Sequence, residues 1–250
     1  MNEKGDSDGK DVLTSKRIDR TEDLYYTGNN RDENTGWPCE VQGVTRPKLI
    51  EAMAQIMRDG GRVCLIGMDL NGLKAINDSY GHDAGDEAIG EFAKEKRRLV
   101  LETAGADELY CYKNHAGGDE FQMMAINRVG GDEGFADRVA EILRREVMIK
   151  GEKVTLTVSG GVGVSERVFV GGESGEDAGQ IFQEMNVEAE ALMLDEKREK
   201  NKQVFARTTE ALREVPLERR KTVLAKILAE DRQFTDEQIV ALMDIAYESK

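Results

Sequence analysis

The 250-residue chain is 39% hydrophobic and carries a net charge of −14. That supports one substantial buried core with a smaller appendage. The acidity argues against non-specific binding to DNA, RNA or anionic membranes, which needs a basic surface.

No apolar run approaches the roughly 18 residues of a membrane span, and residues 1–10 lack the apolar centre of a signal peptide. Cys39, Cys64 and Cys111 show no metal-like spacing, so the plain reading is a cytoplasmic, reduced protein. The charge leaves room for a mononucleotide, whose phosphates can be screened by metal ions and met by a few lysines.

In chain order, residues 1 to about 22 are polar and read as a flexible leader or weak helix. Leu49, Met53, Ile56 and Met57 at helical spacing predict a helix over 46–58. The apolar run 62–70 predicts a buried strand that delivers Asp69 at its C-terminal edge. A short helix over 72–79, a loop over 81–85 and a helix from about Asp86, with Ile89, Phe92, Leu99 and Leu101, come next. Residues 109–114 and 121–126 read as a hairpin with Asp119 and Glu120 in its turn. A helix over 135–147 leads to a strand over 154–159 running on to Val164, then a glycine-rich loop (171–179) and a helix over 180–202. Strands alternating with helices, but including a hairpin, give an α/β or α+β sandwich with a mixed sheet.

The last 45 or so residues differ in kind. Leu217, Leu224, Ile227 and Leu228 form one helical stripe beside Pro216. Thr235 reads as the N-cap of another helix, with Gln238 three residues on and Phe234 stapled to Ile239. We expect a helical hairpin over 204–250 that packs on the main domain, with a partner-binding or dimerising arm as the alternative.

The acids carry the chemistry. With the strand and hairpin side by side, Asp69, Asp119 and Glu120 meet at one sheet edge. Mg²⁺ takes hard oxygen ligands, usually one or two carboxylates, and leaves positions for water and phosphate. Gly117 and Gly118, without Cβ atoms, let the turn approach a ligand closely. The same composition recurs at Gly130, Gly131, Asp132 and Glu133, where no partner strand supplies a second acid; that copy reads as a plain loop leading into a helix.

Asp69-Leu-Asn-Gly-Leu-Lys-Ala-Ile-Asn-Asp78, Ser79-Tyr-Gly-His-Asp-Ala-Gly-Asp86 and Gly117-Gly-Asp-Glu-Phe121, in that order, resemble the GGDEF family of diguanylate cyclases. Residues 154–162 and 189–197 add to the likeness, which covers roughly 45–202, with the catalytic domain placed over 23–203. Several blocks in the right order are more specific than one pentapeptide. The resemblance implies a palm-like mixed sheet flanked by helices, related to class III nucleotide cyclases, and condensation of two GTP into cyclic di-GMP by a homodimer with two Mg²⁺ or Mn²⁺ ions per site. On that template Asp69, Asp119 and the Leu70 carbonyl hold the metals, and Glu120 is a further ligand or base. Asp119 also matches the proton acceptor for the 3′-hydroxyl. Asn77 and Asp86 match the guanine-reading positions and His82 a neighbouring one. Gly72, Leu73 and Lys74 match the phosphate-binding turn, and Lys197 a phosphate-contacting lysine.

Taken singly, Asn77 and Asp86 also suit a helix end and an N-cap, Lys74 and Lys197 a solvated surface, and His82 a polar loop. The chain departs from the family pattern at His115, Leu194 and Asn201. It has Glu108-Leu-Tyr-Cys111 where many members carry an inhibitory Arg-x-x-Asp product site. The departures define the alternative reading, a catalytically inactive GTP-binding or partner-binding module.

Overall fold

A computed structural model describes residues 17–24, 31–39, 45–113, 118–128, 132–150, 155–172, 177–230 and 234–247. Its centre is strand β2 (Gly61–Leu70), buried at all ten positions. Alternate side chains of a strand face opposite ways, and β2 serves two cores in this manner. Val63 and Leu65 join Leu49, Met53 and Ile56 of helix α1 (Thr45–Asp59) and Phe182 and Met185 of helix α5 (Ala178–Glu214). Cys64, Ile66 and Met68 join the other core. That core includes Phe92 of helix α3 (His82–Leu99) and Phe135 of helix α4 (Phe135–Arg144).

The sheet order is β1-β3-β4-β2-β7, with β1 at Ile18–Asp19, β3 at Glu108–Tyr112, β4 at Glu120–Asn127 and β7 at Gly160–Phe169. β1 runs parallel to β3 and all other neighbours are antiparallel, so the expected mixed sheet between helical layers is found. Helix α2 (Leu73–Tyr80) follows β2 after a two-residue turn. No described helix is long and apolar enough to cross a membrane, and all three cysteines are buried thiols.

Several expectations are corrected. Residues 18–19 form β1, and the Cys111 amide donates to Thr21 Oγ1 (3.1 Å), so this part of the predicted leader belongs to the sheet; residues 1–16 lie outside the described residues. The predicted loop 81–85 shrinks to Gly81, whose φ of 88° breaks the chain between α2 and α3. The strand predicted through 154–164 is two strands in different sheets. β6 (Thr155–Val158) pairs with an unpredicted β5 (Val147–Lys150), whereas β7 starts at Gly160 beside β2.

The helix predicted to end at 202 instead continues to Glu214, a 37-residue helix. Its distal half shares a third core with helices α6 (Leu217–Glu230) and α7 (Asp236–Tyr247), built on Leu212, Leu224, Phe234 and Leu242. The predicted capping pair is present: Thr235 N donates to Gln238 Oε1 (3.0 Å) and Gln238 N to Thr235 Oγ1 (3.3 Å).

Candidate active site

Asp69 lies at the end of β2 opposite Glu120 of β4. The ladder continues one step further, where the Leu70 amide donates to the Asp119 carbonyl (3.0 Å). This bond holds the backbones of the two acid-bearing segments together. Gly118 precedes Asp119 in the left-handed region (φ 74°), which glycine adopts without a steric penalty. Asp69 is 8% exposed. Burial pushes its carboxyl above the usual range, hydrogen bonding to Lys197 draws it back down, and the charges of Asp119 and Glu120 push it up again.

A cleft of about 880 Å³ opens over these groups, lined by Asp69, Asp119, the turn 70–75 and Lys197. Gly72 in that turn has φ 79° and precedes α2, where its carbonyl accepts from Ile76 N (3.0 Å). The Asn71 side chain donates to Ser159 Oγ (3.1 Å), fixing the turn to the start of β7.

The glycines of β7 explain how α5 reaches the site. A Cβ at Gly163 would sit 1.9 Å from the Ala189 carbonyl oxygen, and one at Gly161 would sit 2.8 Å from Lys197 Cγ. Without side chains there, α5 lies directly on the sheet and Lys197 extends to Asp69, with which it forms an ion pair. Lys200 Nζ donates to the Gly160 carbonyl (3.0 Å) and pairs with Glu196 (2.8 Å).

The family model described as diguanylate cyclase, GGDEF domain, matches residues 42–203. The chain belongs to the GGDEF family. It is 31% identical over 147 residues to the diguanylate cyclase DgcP of Pseudomonas aeruginosa, covering 58% of this chain and 20% of that protein. Diguanylate cyclase A of Treponema denticola is 36% identical over 129 residues, covering 48% and 32%. The chain thus matches a minority of each relative's length. Among solved structures, the GGDEF domain of DgcB from Caulobacter crescentus, in complex with c-di-GMP, aligns with a TM-score of 0.48 and 21% identity over 68% of this chain and 91% of that one. The diguanylate cyclase SiaD of P. aeruginosa, in complex with its activator SiaC, aligns with a TM-score of 0.46 and 25% identity over 69% and 59%.

Of the residues matched to the GGDEF template, Asp69, Leu70, Gly72, Leu73, Lys74, Asp119 and Lys197 share the large cleft. Glu120 is exposed and does not line it. Among the described residues no three His, Cys, Asp or Glu side chains gather as a metal cluster, so the convergence expected of three acids is closest for two. Gly117 and His115 lie outside the described residues, and Gly118 is exposed beside the cleft.

Asn77, His82 and Asp86 also stand outside that cleft. Asn77 lies in α2 with its buried Oδ1 unpartnered. His82 is exposed at the first turn of α3, and Asp86 lies in the second turn rather than at an N-cap. Asp86 lines a separate cleft of about 450 Å³ with Asn34 and Trp37.

Of the second Gly-Gly-Asp-Glu copy, Gly130 and Gly131 lie outside the described residues, and the acids lie within them. Asp132 pairs with Arg138, which holds its carboxyl below the usual range. Sequence reasoning missed Asn34 of the smaller cleft and three residues at the start of the α7 segment, Thr235, Glu237 and Gln238, which line the large one. The capping signature located α7; nothing in it signalled where the helix would dock.

Proposed function

We propose that the chain is a diguanylate cyclase, joining two GTP into cyclic di-GMP with release of two pyrophosphates. The observation that carries this reading is the meeting of Asp69, at the end of β2, and Asp119, just before β4, in one cleft with the turn 70–74 and Lys197.

The donor set fits a hard divalent cation, Mg²⁺ or Mn²⁺. Asp69 is a buried carboxylate that shares its cleft with Asp119, and the Lys197 ammonium paired with it stands where positive charge is wanted. Asp69, Asp119 and the Leu70 carbonyl would hold a pair of such ions, with Glu120 a further ligand. When bound, they neutralise the α-phosphate and acidify the attacking hydroxyl.

The protein's residues do the rest. Gly72, Leu73 and Lys74 cradle the outer phosphates, and Lys197 exchanges Asp69 for a phosphate oxygen. Asn77 and Asp86 read guanine, with His82 alongside. An Asp accepting from guanine N1–H and N2–H₂ rejects adenine, which offers no matching donors. The Asp119 carboxylate, or Glu120, takes the 3′-hydroxyl proton. The 3′-oxygen then bonds to the α-phosphorus of the second GTP as the bond to pyrophosphate breaks, and a second such transfer closes the ring. Each protomer holds one GTP, so two copies must face each other.

Incubation with Mg²⁺ or Mn²⁺ and equal GTP and ATP should give cyclic di-GMP by mass spectrometry, without adenine-containing product. Adenine in the product contradicts the base assignment. A second reading, a GTP-binding module without turnover, draws on Asn201 at the phosphate end and on Lys197 seated on Asp69. GTP binding with no product at any protein concentration would select it.

A further inference from the structure

We infer that the turn spanning 31–38 is a brace for the nucleotide site, orienting the base-reading carboxylate through Asn34 and the metal-bearing turn through Asp32 and Lys113. The inference rests on the GTP reading above and assigns positioning roles to three residues that the family resemblance leaves without one.

The turn is tied to itself before it touches anything else. Asp32 N donates to the Trp37 carbonyl (2.8 Å), Gly36 N to the Asp32 carbonyl (2.9 Å), and Arg31 bridges Pro38. Asp32 Oδ1 accepts from both the amide (2.9 Å) and the hydroxyl (2.8 Å) of Thr35. Gly36 supplies the left-handed residue (φ 69°) that this closure needs.

Its tip rests on α3. A Cβ at Gly90 would lie 2.7 Å from the Asn34 carbonyl oxygen, so glycine permits the approach. One helical turn earlier, Asn34 Nδ2 donates to Asp86 Oδ1 (2.9 Å). That bond occupies one carboxylate oxygen and fixes the plane of the other, which suits a group that must meet two guanine donors in a set geometry.

Its root reaches the signature turn. Asp32 Oδ2 lies 3.4 Å from Lys113 Nζ, and both side chains are at most 2% exposed. Lys113 Nζ donates to the Gly118 carbonyl (3.0 Å), part of the peptide that leads into Asp119. Trp37 meets Phe121 edge-on at 5.8 Å, and Lys113 lies over the same ring. A buried ion pair is weak evidence for stability, since apolar residues would serve the core as well. A buried donor aimed at the carbonyl beside a metal ligand is what a supporting shell requires.

The test uses the full chain and reads binding, so it does not depend on turnover. Labelled GTP and ATP measure base preference, Mn²⁺ titration measures the metal site, and thermal melting monitors the fold. Asn34→Ala should lower the preference for GTP about tenfold, the loss of one charge-assisted hydrogen bond, with Mn²⁺ binding unchanged. Lys113→Met alone would remove a buried cation from beside the Asp32 carboxylate, so the double variant Asp32→Asn/Lys113→Met is used. It should weaken Mn²⁺ binding about tenfold, as loss of an outer-shell partner does, with base preference kept. Unchanged readouts, or both readouts falling together with the melting temperature, would overturn the inference. Wild-type protein that binds GTP and Mn²⁺ but forms no cyclic di-GMP contradicts the cyclase reading and leaves both arms of this test readable.

Discussion

The ammonium of Lys197, carried on α5, forms an ion pair with the buried carboxylate of Asp69 on β2. On the cyclase reading proposed above, it would compete with a cation for Asp69 and serve as the partner of a phosphate once released. The two roles respond oppositely to its removal. Lys197→Met should tighten Mn²⁺ binding in the absence of nucleotide and weaken GTP binding, each by about tenfold for one charge-assisted contact. Titrations of metal and nucleotide separately check this; a change of the same sign in both would contradict it.

Helix α5 reaches Asp69 because β7 is bare. Gly163→Ala would put a methyl 1.9 Å from the Ala189 carbonyl oxygen and 2.5 Å from the Met193 nitrogen, both backbone atoms that cannot turn aside. The helix must lift, at a cost of about 1–3 kcal/mol or more. Urea unfolding should show that loss, and GTP affinity should fall with it as Lys197 withdraws.

Burial also leaves a titration signature away from the site. Lys96 is fully buried and donates to the carbonyls of Leu143 (2.7 Å) and Arg145 (2.5 Å) at the end of α4. Burial draws its pKa down to about 8, against about 10.4 for a lysine in the unfolded chain. Between those values the unfolded chain holds more protons on this group than the folded one, so its contribution to stability rises with pH. The melting temperature of wild type relative to Lys96→Met should climb between about pH 8 and 10. Parallel profiles would exclude the effect.

The start of the α7 segment lines the large cleft through Thr235, Glu237 and Gln238, together with Lys197, Lys200 and Lys202 of α5. An acid on that wall opposes a triphosphate. Glu237→Lys should lower KM for GTP several-fold with kcat little changed, since the charge acts on binding before and during the reaction alike. A fall in kcat alone would mean that this residue acts on the chemical step instead.

The positions of Asp69, Asp119 and the turn after β2 were legible because they flank strands whose apolar runs identify them: Asp69 after 62–68, Asp119 before Phe121. Less legible was whatever depended on a partner distant in sequence. Val147 continues the apolar spacing of α4, but Arg145 turns to extended backbone (ψ 139°) and β5 starts instead. Four residues are too few to separate a period of 2 from one of 3.6. The division at Ser159 leaves no mark on a run of β-formers, because it is set by which sheet each half joins. The distal half of α5 is mostly polar, with Leu212 its one fully buried residue, and its apolar partners come from α6 and α7. Asn34 was hidden for the same reason: its contact with Asp86 spans 52 positions.

The most direct measurement compares cyclic di-GMP formation by wild type and Asp119→Ala, with Mg²⁺ and GTP, across a wide range of protein concentration. Wild type should form product with specific activity that rises as the dimer assembles, and Asp119→Ala should form none while melting at the wild-type temperature. Product formed equally by both would show that Asp119 does not carry the reaction.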